Sequence, residues 1–177
     1  MKKYSLLFLL VGTLVMIVVM TKTGATLKTP DTPKGILDLE FAYNTTLAND
    51  VKTAWVLNPP ANNIGAAKIN TWLDFIFLFF YSLFLFFTCK KIARLSNGIF
   101  SKAGILFAKG ALIAGFLDIL ENAGMLYTLS GPTSETVALC TAICSVIKWV
   151  LALLAVLYCL TGLIYAVSQK KMSSLLA

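Results

Sequence analysis

Four stretches of this chain, about residues 4–21, 69–89, 103–129 and 137–167, are apolar almost throughout, and no other feature constrains its fold as strongly. A helix of roughly 20 apolar residues crosses the hydrocarbon core of a bilayer. Each block is long enough to do so or nearly so, and the last exceeds the need, so it must tilt, bend or project. Composition agrees, with 58% of residues hydrophobic and 13% charged, against about 25% charged in soluble domains. The expected architecture is all-α: an integral membrane four-helix bundle filling a single domain over residues 1–177, with an extra amphipathic extracytoplasmic helix between spans 1 and 2.

The first block follows a basic start, Met1-Lys-Lys-Tyr4, which suits either a signal peptide or a membrane anchor. The apolar run continues through Val15-Met-Ile-Val-Val-Met20, and Thr23-Gly-Ala25 is a poor cleavage site. An uncleaved first span is therefore expected.

Residues 22–71 are polar and mixed in charge, too long for a bare loop. One helix over about 33–57 is predicted there, capped by Asp31 or Thr32 with Pro33 in its first turn and stopped at Asn58-Pro-Pro60. Leu37, Phe41, Leu47, Val51 and Trp55 recur at near-helical spacing, interrupted at Asn44-Thr-Thr46, and would form its apolar stripe. The short turn after Asn58 holds this helix close to Asp74, which puts Glu40 over the mouth of any polar cluster in the bundle.

Lysines and arginine outside the spans sort by side. Lys2, Lys3, Lys90, Lys91, Arg94, Lys102, Lys170 and Lys171 share one side without any acid, while Asp31, Asp38, Glu40, Asp50 and Glu135 lie on the other with five lysines. The positive-inside rule then places both termini in the cytoplasm. Lys109, near the start of the third span, can snorkel toward the basic side. The formal charge of +7 is accounted for by these span ends. Without a basic face interleaved with aromatics, no nucleic-acid partner is expected. The expected partners are the lipid bilayer and, given only four spans, a second copy or another membrane protein.

The chain contains no histidine, the commonest metal ligand and general base, and no phosphate loop or metal-ligand set. No cofactor and no metal is expected. Cys89, Cys140, Cys144 and Cys159 lie in or beside apolar segments, and Cys140 and Cys144 are spaced i, i+4, so they read as packing residues and not as a thiol-exchange pair.

The chemistry is concentrated in Leu117-Asp-Ile-Leu-Glu-Asn-Ala-Gly-Met-Leu126, where two carboxyls and a carboxamide interrupt an apolar run. A carboxylate at that depth costs roughly 2.5–3.5 kcal/mol on insertion scales, so it must face protein or water. Asp118, Glu121 and Asn122 share one helical face that continues through Ala114 and Gly110, small residues that admit a neighbouring helix. Asp74, Tyr81 and Ser82 form a polar stripe on the second span that can meet it. Lys148 on the fourth span is expected to pair with Asp118 or Glu121, because an unpaired ammonium there is costly and a short loop joins the two helices. The alternatives for single residues are ordinary ones: Asp74 as an interfacial or capping carboxylate, Glu40 as a solvated charge, Lys148 as a snorkelling side chain.

Gly35-Ile-Leu-Asp-Leu-Glu-Phe-Ala42, Leu73-Asp-Phe-Ile-Phe-Leu-Phe-Phe-Tyr-Ser82 and Gly115-Phe-Leu-Asp-Ile-Leu-Glu-Asn122, followed by Lys148, resemble the motifs of a family of small four-span bacterial inner-membrane proteins. The resemblance covers most of the chain from Thr32 onward. It implies a bacterial inner-membrane protein and puts Glu40, Asp74, Tyr81, Asp118, Glu121, Asn122 and Lys148 on the family's polar positions; it implies no activity. Three functions compete. The polar cluster binds a small or lipid-like ligand or handles protons or cations; it only holds together the bundle of an assembly or accessory protein; or it serves an intramembrane acid–base enzyme, for which no nucleophile stands beside a base.

Overall fold

A computed structural model describes residues 5–58 and 63–175, with side chains described as far as Ile164. The chain folds into helices α1 (Ser5–Thr23), α2 (Ile36–Glu40), α3 (Thr45–Leu57), α4 (Asn63–Leu95), α5 (Gly98–Ser130) and α6 (Glu135–Leu175), with a 3-10 turn at Ala25–Leu27. Helices α1, α4, α5 and the part of α6 up to Ile164 are long and apolar enough to cross a membrane, which marks a multi-pass membrane protein. Large apolar side chains such as Phe8, Phe79, Leu106, Phe116 and Leu153 stand exposed around the bundle. In a bilayer such a surface needs no covering partner, because lipid tails are as apolar as the side chains.

Helices α4, α5 and α6 pack against one another, and α1 lies along α4. Small residues set the closest approaches. A Cβ on Gly115 of α5 would lie 2.8 Å from Ser82 Cβ of α4, one on Gly104 would lie 2.8 Å from Ala93 Cβ, and one on Gly124 would run into the Thr141 hydroxyl of α6. On the α1 side, Asn70 donates to Met20 O at 3.0 Å and to Thr23 Oγ1 at 2.7 Å, tying the end of α1 to α4. The α4–α5 turn falls at Ser96-Asn-Gly98, where Gly98 takes a φ of 63° that other residues rarely adopt.

The amphipathic segment differs from its expectation. It is two helices, α2 and α3, separated by residues 41–44. Gly35, with φ 66°, forms the start of α2, so Asp31, Thr32 and Pro33 lie before the helix and do not cap it. Thr32 is buried instead, and its hydroxyl donates to Leu27 O at 2.8 Å. Asn44 caps α3, accepting from Leu47 N at 2.8 Å. The break rotates one helix relative to the other, so only part of the expected stripe is buried: Val51 and Trp55 are, together with Leu39, Ala42 and Ala48, whereas Phe41 and Leu47 are exposed. Trp55 donates to Leu27 O at 2.8 Å and locks α3 over the 3-10 turn. Asn58 ends α3; Pro59 and Pro60, the expected stop, lie outside the described residues. α4 and α5 begin several residues before their expected starts. α6 runs on through Ser168-Gln-Lys-Lys171, since residues polar enough to end a span are still acceptable helix formers.

α2 and α3 sit on one end of the bundle, the capped end. Lys52 donates to Gly131 O at 2.8 Å and Thr133 to Asn49 Oδ1 at 2.6 Å, both across the α5–α6 loop. Thr45 N donates to Glu135 Oε2 at 2.8 Å at the start of α6. The other end, the basic end, carries Lys90, Lys91, Arg94 and Lys102 around the α4–α5 turn.

Candidate functional site

The acidic face of α5 points into the bundle as its i, i+3, i+4 spacing requires. Asp118 is 2% exposed, and Glu121 and Asn122 are fully buried. At 1.5 Å per residue, Glu121 lies about 14 Å along α5 from Ser130, Asp74 about 17 Å along α4 from Asn63, and Lys148 about 20 Å along α6 from Glu135. Three antiparallel neighbours thus bring their polar residues to a similar depth beneath the capped end.

Lys148 is the hub. Its ammonium donates to Glu121 Oε1 at 2.7 Å and to Asp118 Oδ1 at 2.8 Å, and it stands 3.6 Å from Glu40 Oε2. Both expected partners are engaged at once. The other oxygen of Asp118 accepts from the Tyr81 hydroxyl at 2.7 Å, which carries the network across to α4. Beside it, Asn122 donates to Asp74 Oδ2 at 2.8 Å. Asp74 therefore meets the polar face of α5 and is not a helix cap. All seven residues picked out in the sequence, Glu40, Asp74, Tyr81, Asp118, Glu121, Asn122 and Lys148, lie in this one region.

Glu40 arrives from outside the bundle. It is the last residue of α2, and it is buried. Two residues that sequence reasoning did not single out hold it there. Trp149 donates its indole N–H to Glu40 Oε2 at 3.2 Å, and Ser145 donates its hydroxyl to the Glu40 carbonyl oxygen at 3.2 Å. Ser145 lies one turn from Lys148 on the same face of α6, a relation visible in the spacing. No spacing signal marks Trp149, and only the course of α2 gives it a partner.

The charges do not balance. Three carboxyls, from Glu40, Asp118 and Glu121, surround one ammonium, and Asp74 adjoins them through Asn122, a formal excess of three negative charges if every carboxyl ionises. Like charges at these distances in a low-dielectric interior are strongly unfavourable unless protons or a cation neutralise them. Hydrogen bonding is incomplete as well. Glu121 Oε2 and Asn122 Oδ1 are buried acceptors without a hydrogen-bonding partner, each costing about 1–3 kcal/mol if nothing fills the gap. Among the described residues no three carboxylates or thiols are grouped as a metal-ligand set; the carboxylates are arranged around Lys148 Nζ.

Comparison with family models, with curated proteins and with solved structures finds no match to this chain. The functional reading therefore stands on geometry.

Proposed function

We propose that the cluster beneath the capped end is a binding site for a small cationic or hydrogen-bond-donating ligand, protons included, in a multi-pass protein of the bacterial inner (plasma) membrane with both termini cytoplasmic. One observation carries the site: two fully buried acceptor atoms, Glu121 Oε2 and Asn122 Oδ1, lack a donor within a cluster that holds more carboxyls than cations. A cation or donor seated there answers both deficits. Location and orientation rest on the distribution of lysines and on the motif resemblance. They are tested by reporter fusions, expected to read cytoplasmic after Met172 and external within residues 61–66.

Trp149 is a built-in reporter, since its indole touches Glu40 within the cluster. The test follows the part of the tryptophan fluorescence that Trp149→Phe removes, while pH is varied and, separately, methylammonium is added at fixed pH. A saturable change that Glu121→Gln abolishes supports the site. A response to pH alone assigns it to protons, and a further response to methylammonium assigns it to a larger cation. A flat signal, or one that Glu121→Gln leaves intact, contradicts the proposal.

A second reading has its own support. The cluster joins α2, α4, α5 and α6, and Lys148 engages three carboxylates at once, as an interhelical clamp would. Under that reading the protein is a structural or accessory component and the fluorescence does not titrate.

A further inference from the structure

At the basic end, α4 and α5 leave between them a recess of about 240 Å³. Its walls are apolar, with Phe86, Ile105 and Ala108 among them, and its charged lining is entirely cationic: Lys90, Arg94 and Lys109. Not one Asp or Glu occurs between Asp74 and Asp118. Among the described residues every ion pair belongs to Lys148, so these three cations have no carboxylate partner. The Lys90 ammonium rests 5.2 Å over the Phe86 ring, which leaves its charge uncompensated.

Lys109 is the residue that needs an explanation. It lies about 17 Å along α5 from Gly98 at 1.5 Å per residue, deep for a charge on the outside of a membrane helix. Helical side chains lean toward the N-terminus, so its stem runs back along α5 toward the basic end, where Lys90 and Arg94 stand. Snorkelling accounts for one lysine reaching toward the interface. It does not account for three cations lining one recess with no anion to meet them, since mutual repulsion would separate them unless a counter-charge is present.

We propose that this recess binds the phosphate of an anionic phospholipid, held by Lys90, Arg94 and Lys109, with the adjoining glycerol and acyl carbons against Phe86, Ile105 and Ala108. The charged lining selects a phosphate oxyanion, which Arg engages well through its planar fork. The apolar walls select one joined to hydrocarbon over free inorganic phosphate. The site shares no residue with the cluster beneath the capped end, so the two proposals stand or fall separately.

The test uses the full-length protein, purified in a mild non-ionic detergent and supplied with mixed micelles of dioleoyl phosphatidylglycerol or dioleoyl phosphatidylcholine, with retained lipid counted by native mass spectrometry. Phosphatidylglycerol should be retained in preference to phosphatidylcholine. Lys109→Gln and Arg94→Gln should each weaken that retention about fivefold, whereas Lys109→Arg and the opposite-end control Lys28→Gln should preserve it. These variants change exposed side chains and leave the helix core untouched, and the wild-type comparison of the two lipids is decisive by itself. Equal retention of both lipids, displacement of the lipid by inorganic phosphate, or full retention in the double variant Lys109→Gln/Arg94→Gln would each overturn the proposal.

Discussion

The capped and basic halves of the bundle are built from the same three helices and hold together by different physics. In the basic half α4, α5 and α6 close on small and aromatic residues: Cys89 Sγ lies 3.5 Å from Cys159 Sγ, and Tyr158 stacks on Phe100 at 4.6 Å between ring centroids. Its charges stand on the outside. In the capped half the same helices carry Asp74, Asp118, Glu121 and Lys148, and α2 sends Glu40 in among them. Closeness of backbones stabilises the first half, and one ammonium set among an excess of carboxyls ties the second together. A protein that needed only to stay folded in lipid could have used the first device throughout, so the costlier second one points to a use.

The two halves should answer differently to substitution. The largest effect is expected in the capped half from Lys148→Met, which leaves Glu40, Asp118 and Glu121 without their shared cation; a loss of about 3–5 kcal/mol follows from stranding buried charge, measured by reversible unfolding in mixed micelles. A loss below ~1 kcal/mol, the range of exposed ion pairs, would erase the contrast between the halves. In the basic half the damaging change is steric. Gly104→Ala puts a Cβ 2.8 Å from Ala93 Cβ and into the Tyr158 hydroxyl, and about 1–3 kcal/mol of destabilisation is expected from overpacking in the same unfolding assay.

Smaller still is Trp149→Phe, which removes one donor from Glu40 and should cost about 1 kcal/mol. It should also speed hydrogen exchange at Phe41 and Ala42, whose amides bond back to Leu37 and Leu39 in α2. Unchanged exchange would mean that Lys148 and Ser145 hold α2 in place without Trp149. The same burial predicts that a thiol introduced by Glu40→Cys reacts more slowly with a membrane-impermeant reagent than one introduced by Asp50→Cys, in a background without the native cysteines. Equal labelling would return Glu40 to the solvated surface.

Most of the capped half was legible in the sequence, because it depends on periodicity within single helices. The i, i+3, i+4 spacing of Asp118, Glu121 and Asn122 fixes their shared face, and the cost of charge in an apolar block turns that face inward. The positions of Glu40 and Lys148 followed from short connections to neighbouring helices. What spacing could not supply was the rotation of one element against another. The break at residues 41–44, closed by the Asn44 cap, divides the amphipathic segment, and the resulting rotation exchanges Phe41 and Leu47 for Leu39 and Ala48 as buried residues. The same limit hid the bond from Trp149 to Glu40, and it hid the recess that gathers Lys90, Arg94 and Lys109 from two helices. Each of those cations was readable alone as a span-end charge.

The central claim, that the capped half is an overcharged site and not a balanced clamp, is tested most directly by a double-mutant cycle between Lys148→Met and Glu121→Gln, read as unfolding free energy in mixed micelles. Glu121 is fully buried and bonded to Lys148 at 2.7 Å, so removing its charge relieves part of the excess that the lysine opposes. The account predicts that Glu121→Gln alone is neutral or mildly stabilising, and that in the Lys148→Met background it restores about 1–3 kcal/mol, the coupling expected between interacting residues. A Glu121→Gln that by itself costs about 3–5 kcal/mol, as breaking one side of a buried pair does, would show a charge-balanced clamp and contradict the account.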